Sequence, residues 1–395
     1  MQRTLLGWDT TMSRPLRVLQ LIDSLARAGA EQSLTSLAPH LVAEGIDVHV
    51  AYLVEREGLR TDLEQAGIPV RALAGDGADR RRWLAETSAL IAELRPNVVH
   101  TTLFEADLAG RRSAARLRVP CVSSLVNTAY GRTETSRDGL SHLRARAAHA
   151  ADALTARRVT RFHALTHHVA TVMGRRLRIP TDKIEVIPRG RDANLLGRRS
   201  TERRAAIRQR LGIPEGAPMV LAVGRQEPQK GLDVLLRAVP AVRSQHSGIR
   251  LLVAGRDGRA TTRLTELVRA SGLADTVRFL GIRDDVADLL AAADVLAFPS
   301  LWEGAGGTLL EAMALECPIV TSRLPVLLEA VDASTAELVE AGDVDDLSRG
   351  LLTVLADPRT AAARALVARE RFEQEFTIQI SARRMAQLYS RVATA

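Results

Sequence analysis

Lysine is nearly missing from this chain. Of 54 basic residues in 395, only Lys183 and Lys230 are lysines and the rest are arginines. A lone lysine against that background is either a retained chemical group or a chance survivor on the surface. Aromatic residues make up 3% of the chain, too few for a platform of stacked rings, which counts against a single-stranded nucleic acid partner. Cys121 and Cys317 each lie in an apolar run with no CxxC spacing. A disulfide or thiolate-zinc framework is thereby excluded, and both read as small buried hydrophobes of a reducing compartment. No apolar stretch reaches the length of a membrane span, and Met1 to Arg14 lack the apolar run of a secretory signal. The expectation is a cytoplasmic protein with a disordered tail over residues 1–15, Met12 being an alternative start.

What is there suffices for two cores, since 46% of the residues are hydrophobic. Short β-rich runs alternate with helical periodicity from end to end. Arg17 to Ile22, Val48 to Val54, Val98 to His100, Val119 to Val126, Ala164-Leu165 and Ile184 to Ile187 predict the strands of one doubly wound sheet. A charged stretch, Arg189 to Arg210, reads as a linker with an amphipathic helix. Val220 to Val223, Arg250 to Ala254, Val277 to Phe279, Val295 to Phe298 and Pro318 to Thr321 then start a second sheet. The fold class expected is therefore α/β, with two tandem Rossmann-like, doubly wound parallel-sheet domains facing a cleft. Residues 1–15 are the tail, 16–190 the N-terminal domain, 191–375 the C-terminal domain, and 376–395 a helix packing back on the N-terminal domain.

The run Phe298 to Met313 carries the sharpest signal. A strand ends at Pro299, a loop holding Gly304, Gly306 and Gly307 follows, and a helix is predicted from Leu309 to Leu315. Bare amides at a helix N-terminus attract phosphate, and glycines let it approach closely. Glu303 and Glu311, with seven residues between them, supply carboxylates for neutral hydroxyls. A nucleotide sugar offers that combination. Upstream, a β-rich run breaks at Gly224 and a helix restarts near Gly231, with Arg225 and Lys230 flanking the turn. A guanidinium and a compact ammonium at one strand-to-helix junction suit a diphosphate that gains charge as it leaves.

The net charge of +8 is uneven. Residues 1–190 carry 27 arginines and lysines against 20 acids, residues 191–395 carry 27 against 26. Arg144, Arg146, Arg157, Arg158 and Arg161 concentrate where Leu140, Leu143, Ala147, Ala150 and Leu154 recur at helical spacing. Anionic lipid headgroups, a phosphorylated acceptor, an acidic protein and a plain solvated face all satisfy this pattern. His100, His142, His149, His163, His167 and His168 have no clustered acids beside them, and neighbours such as His167 and His168 do not share a helix face, so no metal site is expected. Asp343-Val-Asp345 precedes a helix and reads as its N-cap rather than a metal ligand.

Together these motifs resemble the retaining glycosyltransferases of family four, with the GT-B fold. The likeness spans nearly everything past residue 15. It rests on Gly224-Arg225 with Lys230-Gly231, Ala254-Gly255, Phe279-Leu-Gly281, Ala293-Asp294 and Pro299-Ser300 leading into Glu303 to Glu311, in that order. The resemblance implies a nucleotide-diphosphate sugar as donor, a UDP-sugar before a GDP-sugar, no required cofactor, and a hydroxyl-bearing acceptor that includes anionic or lipid-linked ones. It implies that Arg225 and Lys230 bind the diphosphate, Glu311 the ribose, and Glu303 the sugar hydroxyls. The backbone of Gly304, Ala305, Gly306, Gly307, Thr308 and Leu309 would hold the sugar and β-phosphate. Gly281, Ile282 and Arg283 match the stretch bordering the base, and Gly29 the N-terminal glycine loop facing the phosphates, beside Gly224 on the opposite wall.

The chain departs from the family pattern at four places. Ala28 stands where a first glycine is usual, and Asn127 where a histidine near the transferring sugar is common. Arg189 replaces an asparagine before Gly190, and Arg323-Leu-Pro325 lacks a diglycine. An amide hydrogen-bonds a hydroxyl and is no base, which suits a transfer in which the leaving phosphate takes the acceptor proton. A GT-B nucleotide-sugar epimerase and a non-catalytic basic protein binding membrane or nucleic acid are the competing readings. The first wants acid and base groups that Asn127 does not supply. The charge excess the second would use lies away from Arg225, Lys230 and Glu303. On the leading reading, nucleic acid is no partner, and peripheral contact with the inner face of an anionic membrane would run through the N-terminal domain.

Overall fold

The computed structural model describes residues 15–56, 58–73, 79–128 and 139–394, without the side chains of 139–142. Seven parallel strands form the first sheet: β1 (Leu16–Ile22), β2 (Ile46–Tyr52), β3 (Val70–Ala72), β4 (Val98–Thr102), β5 (Cys121–Leu125), β6 (Arg161–Ala164) and β7 (Ile184–Val186), in the order β3-β2-β1-β4-β5-β6-β7. Val18 pairs with Val48 on one side and Val98 on the other, so β1 is buried between neighbours. The near-continuous apolar character of these strands follows from helices covering both faces. The second sheet has β8 (Met219–Val223), β9 (Arg250–Ala254), β10 (Val277–Gly281), β11 (Val295–Phe298), β12 (Ile319–Ser322) and β13 (Glu337–Val339), ordered β10-β9-β8-β11-β12-β13.

In both sheets the strand order reverses beside the first strand. Between β1 and β4, and between β8 and β11, the loops at the carboxyl ends diverge and leave a crevice, the usual place for a ligand in such sheets. Gly29 follows β1; Gly224 to Lys230 follow β8; Glu303 to Gly307 follow β11. The motifs read from the sequence therefore fall at the two reversal points.

The chain crosses between the domains twice, at adjoining points. Arg191 N–H donates to the Phe376 carbonyl at 3.0 Å, and Ile378 N–H donates to the Arg191 carbonyl at 2.9 Å. Phe372 and Phe376 belong to the core of the second domain. Met385, Leu388 and Tyr389, on the helix Ile378–Ala393, are buried in the core of the first, against the helix Gly29–Ala43. Gly190 is required at the crossing, since a Cβ there would come within 2.5 Å of Ile378 Cα.

Two differences from the sequence reading are instructive. The edge strands β3 and β13, three residues each, are too short to declare a period. The helix of the glycine motif starts at Gly307, not Leu309, because Gly306 turns the chain with φ 68° and frees the next residue to enter the helix. Residues 1–14 of the expected tail lie outside the described residues. Cys121 and Cys317 are free and buried, with burial pushing their thiols up to about 12 and about 11.

Candidate active site

On the C-terminal wall two loops are stitched together. Leu301 N–H donates to the Gln229 carbonyl at 2.8 Å, and Gln229 Nε2 to the Trp302 carbonyl at 2.9 Å. This brings Lys230 and Glu303, far apart in sequence, into a direct ion pair. Ser300 Oγ donates to the same carboxylate oxygen at 2.8 Å, and Lys230 Nζ stands 5.3 Å from the centre of the Phe298 ring. Lys230 keeps 18% of its side chain exposed and Glu303 7%. Gly224 leaves room for the lysine stem, whose Cε would lie 3.2 Å from a Cβ at that position.

Beside them opens the helix Gly307–Ala314, with no side chain capping its N-terminus. Glu311, one turn in, accepts a hydrogen bond from Arg191 Nε at 2.7 Å, and the same guanidinium lies against Gly307. Arg225 stands apart from this cluster: its side chain is 48% exposed and its nearest carboxylate is Glu227 at 3.9 Å. Gly281 adopts φ 66°, Ile282 is 70% exposed, and Arg283 forks onto Asp285 at 2.7 and 2.6 Å. Of these three, Ile282 is exposed and Gly281 and Arg283 are half-buried.

The N-terminal wall faces this assembly. Ala28 precedes the helix Gly29–Ala43 in an extended conformation and offers no capping side chain, so the amides behind Gly29 are bare. Arg189 Nη1 approaches within 3.4 Å of where a Gly29 Cβ would sit. Gly304 reaches across the cleft: a Cβ there would lie 2.7 Å from the Val126 carbonyl and 3.5 Å from Asn127 Cα. Further along, Glu329 accepts from the amides of His167 and His168 at 2.6 and 2.7 Å, so a carboxylate of the second domain caps a helix of the first. Arg27 and Asp284 face each other at 3.9 Å.

Arg189 and Arg191 are the residues sequence reasoning noticed too little. Replacement of an asparagine by Arg189 was a visible signal; nothing in the sequence marked Arg191. Burial, followed by the neighbouring Arg191 cation, pulls the Arg189 guanidinium down to about 9, with Glu303, Glu31 and Glu311 pulling it back up. Its Nε is enclosed and has no hydrogen-bond partner.

The histidines do structural work. His163 Nε2 contacts the Ile187 carbonyl at 2.9 Å, which fixes its proton there; Nδ1 must then accept from Ser124 Oγ at 2.9 Å. Ser124 in turn accepts from His100 Nε2 at 2.7 Å, and His100 Nδ1 accepts the Tyr389 hydroxyl proton at 2.6 Å. Gln20 Nε2 donates to Tyr389 at 2.6 Å. Every donor and acceptor on this line is used once with both rings neutral, and burial holds His100 down to about 3 and His163 to about 4. His149 contacts the Arg176 carbonyl at 2.9 Å, and the His142 side chain lies outside the described residues. Asp343 accepts from Asp346 N–H at 2.9 Å as the expected N-cap.

The basic segment differs from its sequence reading. The helix Gly139–Ala156 ends before Arg157, Arg158 and Arg161, the last of which opens β6. Its presumed apolar stripe is turned outward at Leu143, 66% exposed, and Leu154, 57% exposed. The buried side is fixed instead by Asp152 and Thr155, which take the buried Arg111 at 2.6 and 3.3 Å. Leu140 lies outside the described side chains.

Two parallel-sheet α/β domains facing each other across such a cleft constitute the GT-B fold, the architecture of nucleotide-sugar-dependent glycosyltransferases. Residues 27–195 match the model of Glycosyltransferase Family 4, and residues 203–371 that of Glycosyl transferases group 1. A 2-deoxystreptamine N-acetyl-D-glucosaminyltransferase of Streptomyces fradiae is 31% identical over 374 residues, 89% of this chain and 84% of that protein. A GDP-mannose-dependent monoacylated alpha-(1-6)-phosphatidylinositol monomannoside mannosyltransferase of Corynebacterium glutamicum is 32% identical over 52% of this chain, which spans 55% of that relative. Among solved structures, Anabaena Alr3699/HepE in complex with UDP superposes with a TM-score of 0.82 over 95% of this chain and 100% of that one, at 22% identity. The chain belongs to the group 1, family 4 glycosyltransferases.

Proposed function

We propose that the protein transfers a sugar from a nucleotide-diphosphate sugar, a UDP-sugar before a GDP-sugar, to an acceptor hydroxyl with retention and without a metal. The observation that carries this reading is the meeting of Lys230 and Glu303 beside the uncapped helix Gly307–Ala314. Lys230, Arg225 and the bare amides would take the diphosphate, a charge that otherwise calls for a cation. Glu311 would hold ribose hydroxyls on leaving Arg191, Glu303 the sugar hydroxyls, and Asn127 a hydroxyl from the far wall. Gly281, Ile282 and Arg283 would border the base. In the step itself the bond from the anomeric carbon to the β-phosphate oxygen breaks, the acceptor oxygen bonds to the same face, and its proton passes to the departing phosphate.

Residues 16–190 serve as the acceptor-side domain in this reading, 191–375 as the donor-side domain, and 376–395 as the clasp between them. The protein works in the cytoplasm, with Leu143, Leu154 and nearby arginines resting on anionic lipid. The names of the relatives support sugar transfer and leave the donor sugar to experiment. Turnover of a nucleotide-sugar panel by wild type, Lys230→Ala and Glu311→Ala tests the reading. Loss of at least 100-fold in kcat/KM in both variants is expected; turnover equal to wild type in both overturns it.

A further inference from the structure

Behind the cleft, the N-terminal domain holds a cavity of about 70 Å3 beneath the helix Gly29–Ala43, reaching the crossing at Gly190 and the helix Ile378–Ala393. More than half of its lining residues are apolar. Most of its polar wall is already engaged: Gln20, His100, Ser124 and His163 belong to the hydrogen-bond line that ends on Tyr389 and Ile187. Ser33 Oγ donates to the Gly29 carbonyl at 2.7 Å, and Ser381 Oγ to the Pro188 carbonyl at 2.8 Å. Arg189 is the single charged residue on the lining.

The charges of the cleft leave that guanidinium over. Lys230 pairs with Glu303 and Arg191 with Glu311, while Glu31, the buried acid on the near wall, contacts Ser24 Oγ. Arg189 makes no ion pair or hydrogen bond among the described residues, and its enclosed Nε is an unmet donor. An unmet buried donor costs about 1–3 kcal/mol, and a ligand oxyanion at the cleft would relieve that cost. A guanidinium fork selects oxyanions of phosphate or carboxylate geometry. None of Gly224 to Lys230 or Glu303 to Glu311 lines this cavity, but the Arg189 guanidinium borders Gly29 and feels the charges of Glu303 and Glu311, so it stands between the cavity and the donor wall.

We propose that Arg189 is a specificity-determining residue for the acceptor, binding a phosphate or carboxylate that the acceptor carries beside its reacting hydroxyl. This rests on the glycosyltransferase reading above and names the substrate class it leaves open. Anionic polyols are taken as acceptors; neutral polyols bind weakly, and amines are repelled.

The test uses the full chain and two kinds of probe, nucleotides and small phosphates. UDP and GDP are titrated first, into wild type and into Arg189→Gln and Arg189→Lys. Inorganic phosphate and glycerol 3-phosphate are then titrated by calorimetry, with and without the bound nucleotide, glycerol serving as the neutral control. Expected are glycerol 3-phosphate binding at least tenfold weaker in Arg189→Gln, partial recovery in Arg189→Lys, and nucleotide affinity within twofold of wild type. Equal glycerol 3-phosphate binding in wild type and Arg189→Gln, or no binding to wild type, overturns the proposal. So does a tenfold loss of nucleotide affinity in Arg189→Gln, which places the residue on the donor. If wild type binds neither nucleotide, the glycosyltransferase reading is what fails, and the nucleotide-free phosphate titration still decides Arg189. Thermal melts of each variant establish that it is folded.

Discussion

Arg191, the first residue of the C-terminal domain, holds Glu311 at 2.7 Å, with roughly four-fifths of each side chain shielded from water. The carboxylate proposed for the ribose is thus already paired with a cation of this chain, and nucleotide binding has to exchange one partner for another.

Exchanging the two residues separates these roles. Arg191→Ala and Glu311→Ala each lower the melting temperature, and the swapped pair, Arg191→Glu with Glu311→Arg, regains most of that loss because the attraction is kept. Nucleotide binding stays at least tenfold weaker in the swap, since an arginine now faces the ribose. Calorimetry beside thermal melts reads both; wild-type affinity in the swap refutes the assignment of Glu311.

Arg111 is enclosed between Asp107 at 2.9 Å and Asp152 at 2.6 Å, tying the helix Phe104–Leu117 to the helix Gly139–Ala156. Arg111→Met leaves two buried carboxylates without their cation and costs about 3–5 kcal/mol. Adding Asp107→Asn and Asp152→Asn removes the stranded charges and recovers a large part of it. Urea unfolding of the single and triple variants measures the difference; equal stability of the two contradicts the account.

Acid response turns on groups with opposite signs. His100 and His163 stay neutral down to about 3 and about 4, so between pH 6.5 and those values the unfolded chain binds more protons, and stability falls as pH falls. Asp23 is raised from 3.8 to about 7 by burial, partly opposed by the Ala106 amide. The folded chain therefore binds its proton first, and this group adds stability as pH falls from 7 towards 3.8. Asp23→Asn deletes the compensating gain and steepens the acid loss between pH 6.5 and 4, by up to about 1.4 kcal/mol per pH unit. Urea midpoints over that range decide it; an unchanged slope shows that Asp23 is ionised throughout.

Much of this architecture was legible because burial on both faces writes long apolar runs into central strands. Met219–Val223 and Val295–Phe298 declare themselves in that way, and Gly224 and Pro299 mark where they stop. β3 and β13 were not legible, being three-residue edges held by pairing to β2 and β12. Lys230 and Glu303 were singled out in two motifs that flank one reversal point, between β8 and β11, but their ion pair was not read from the sequence, because it depends on how the two loops are stitched together. Arg191 was hidden because its role depends on the crossing of the chain, which no local pattern encodes. The helix Gly139–Ala156 misled because leucines at helical spacing normally face a core, whereas here the buried Arg111 draws Asp152 and Thr155 inward and turns Leu143 and Leu154 out.

Tyr389 comes from the last helix yet completes the polar line through the interior of the first domain. During synthesis the earliest half of the protein emerges long before that hydroxyl exists, with Gln20 and His100 lacking the partner they will share. The N-terminal domain therefore cannot reach its final packing on the ribosome by itself. Its maturation waits for Tyr389 to emerge, and a chain truncated before residue 389 is left with an open seam along the helix Gly29–Ala43.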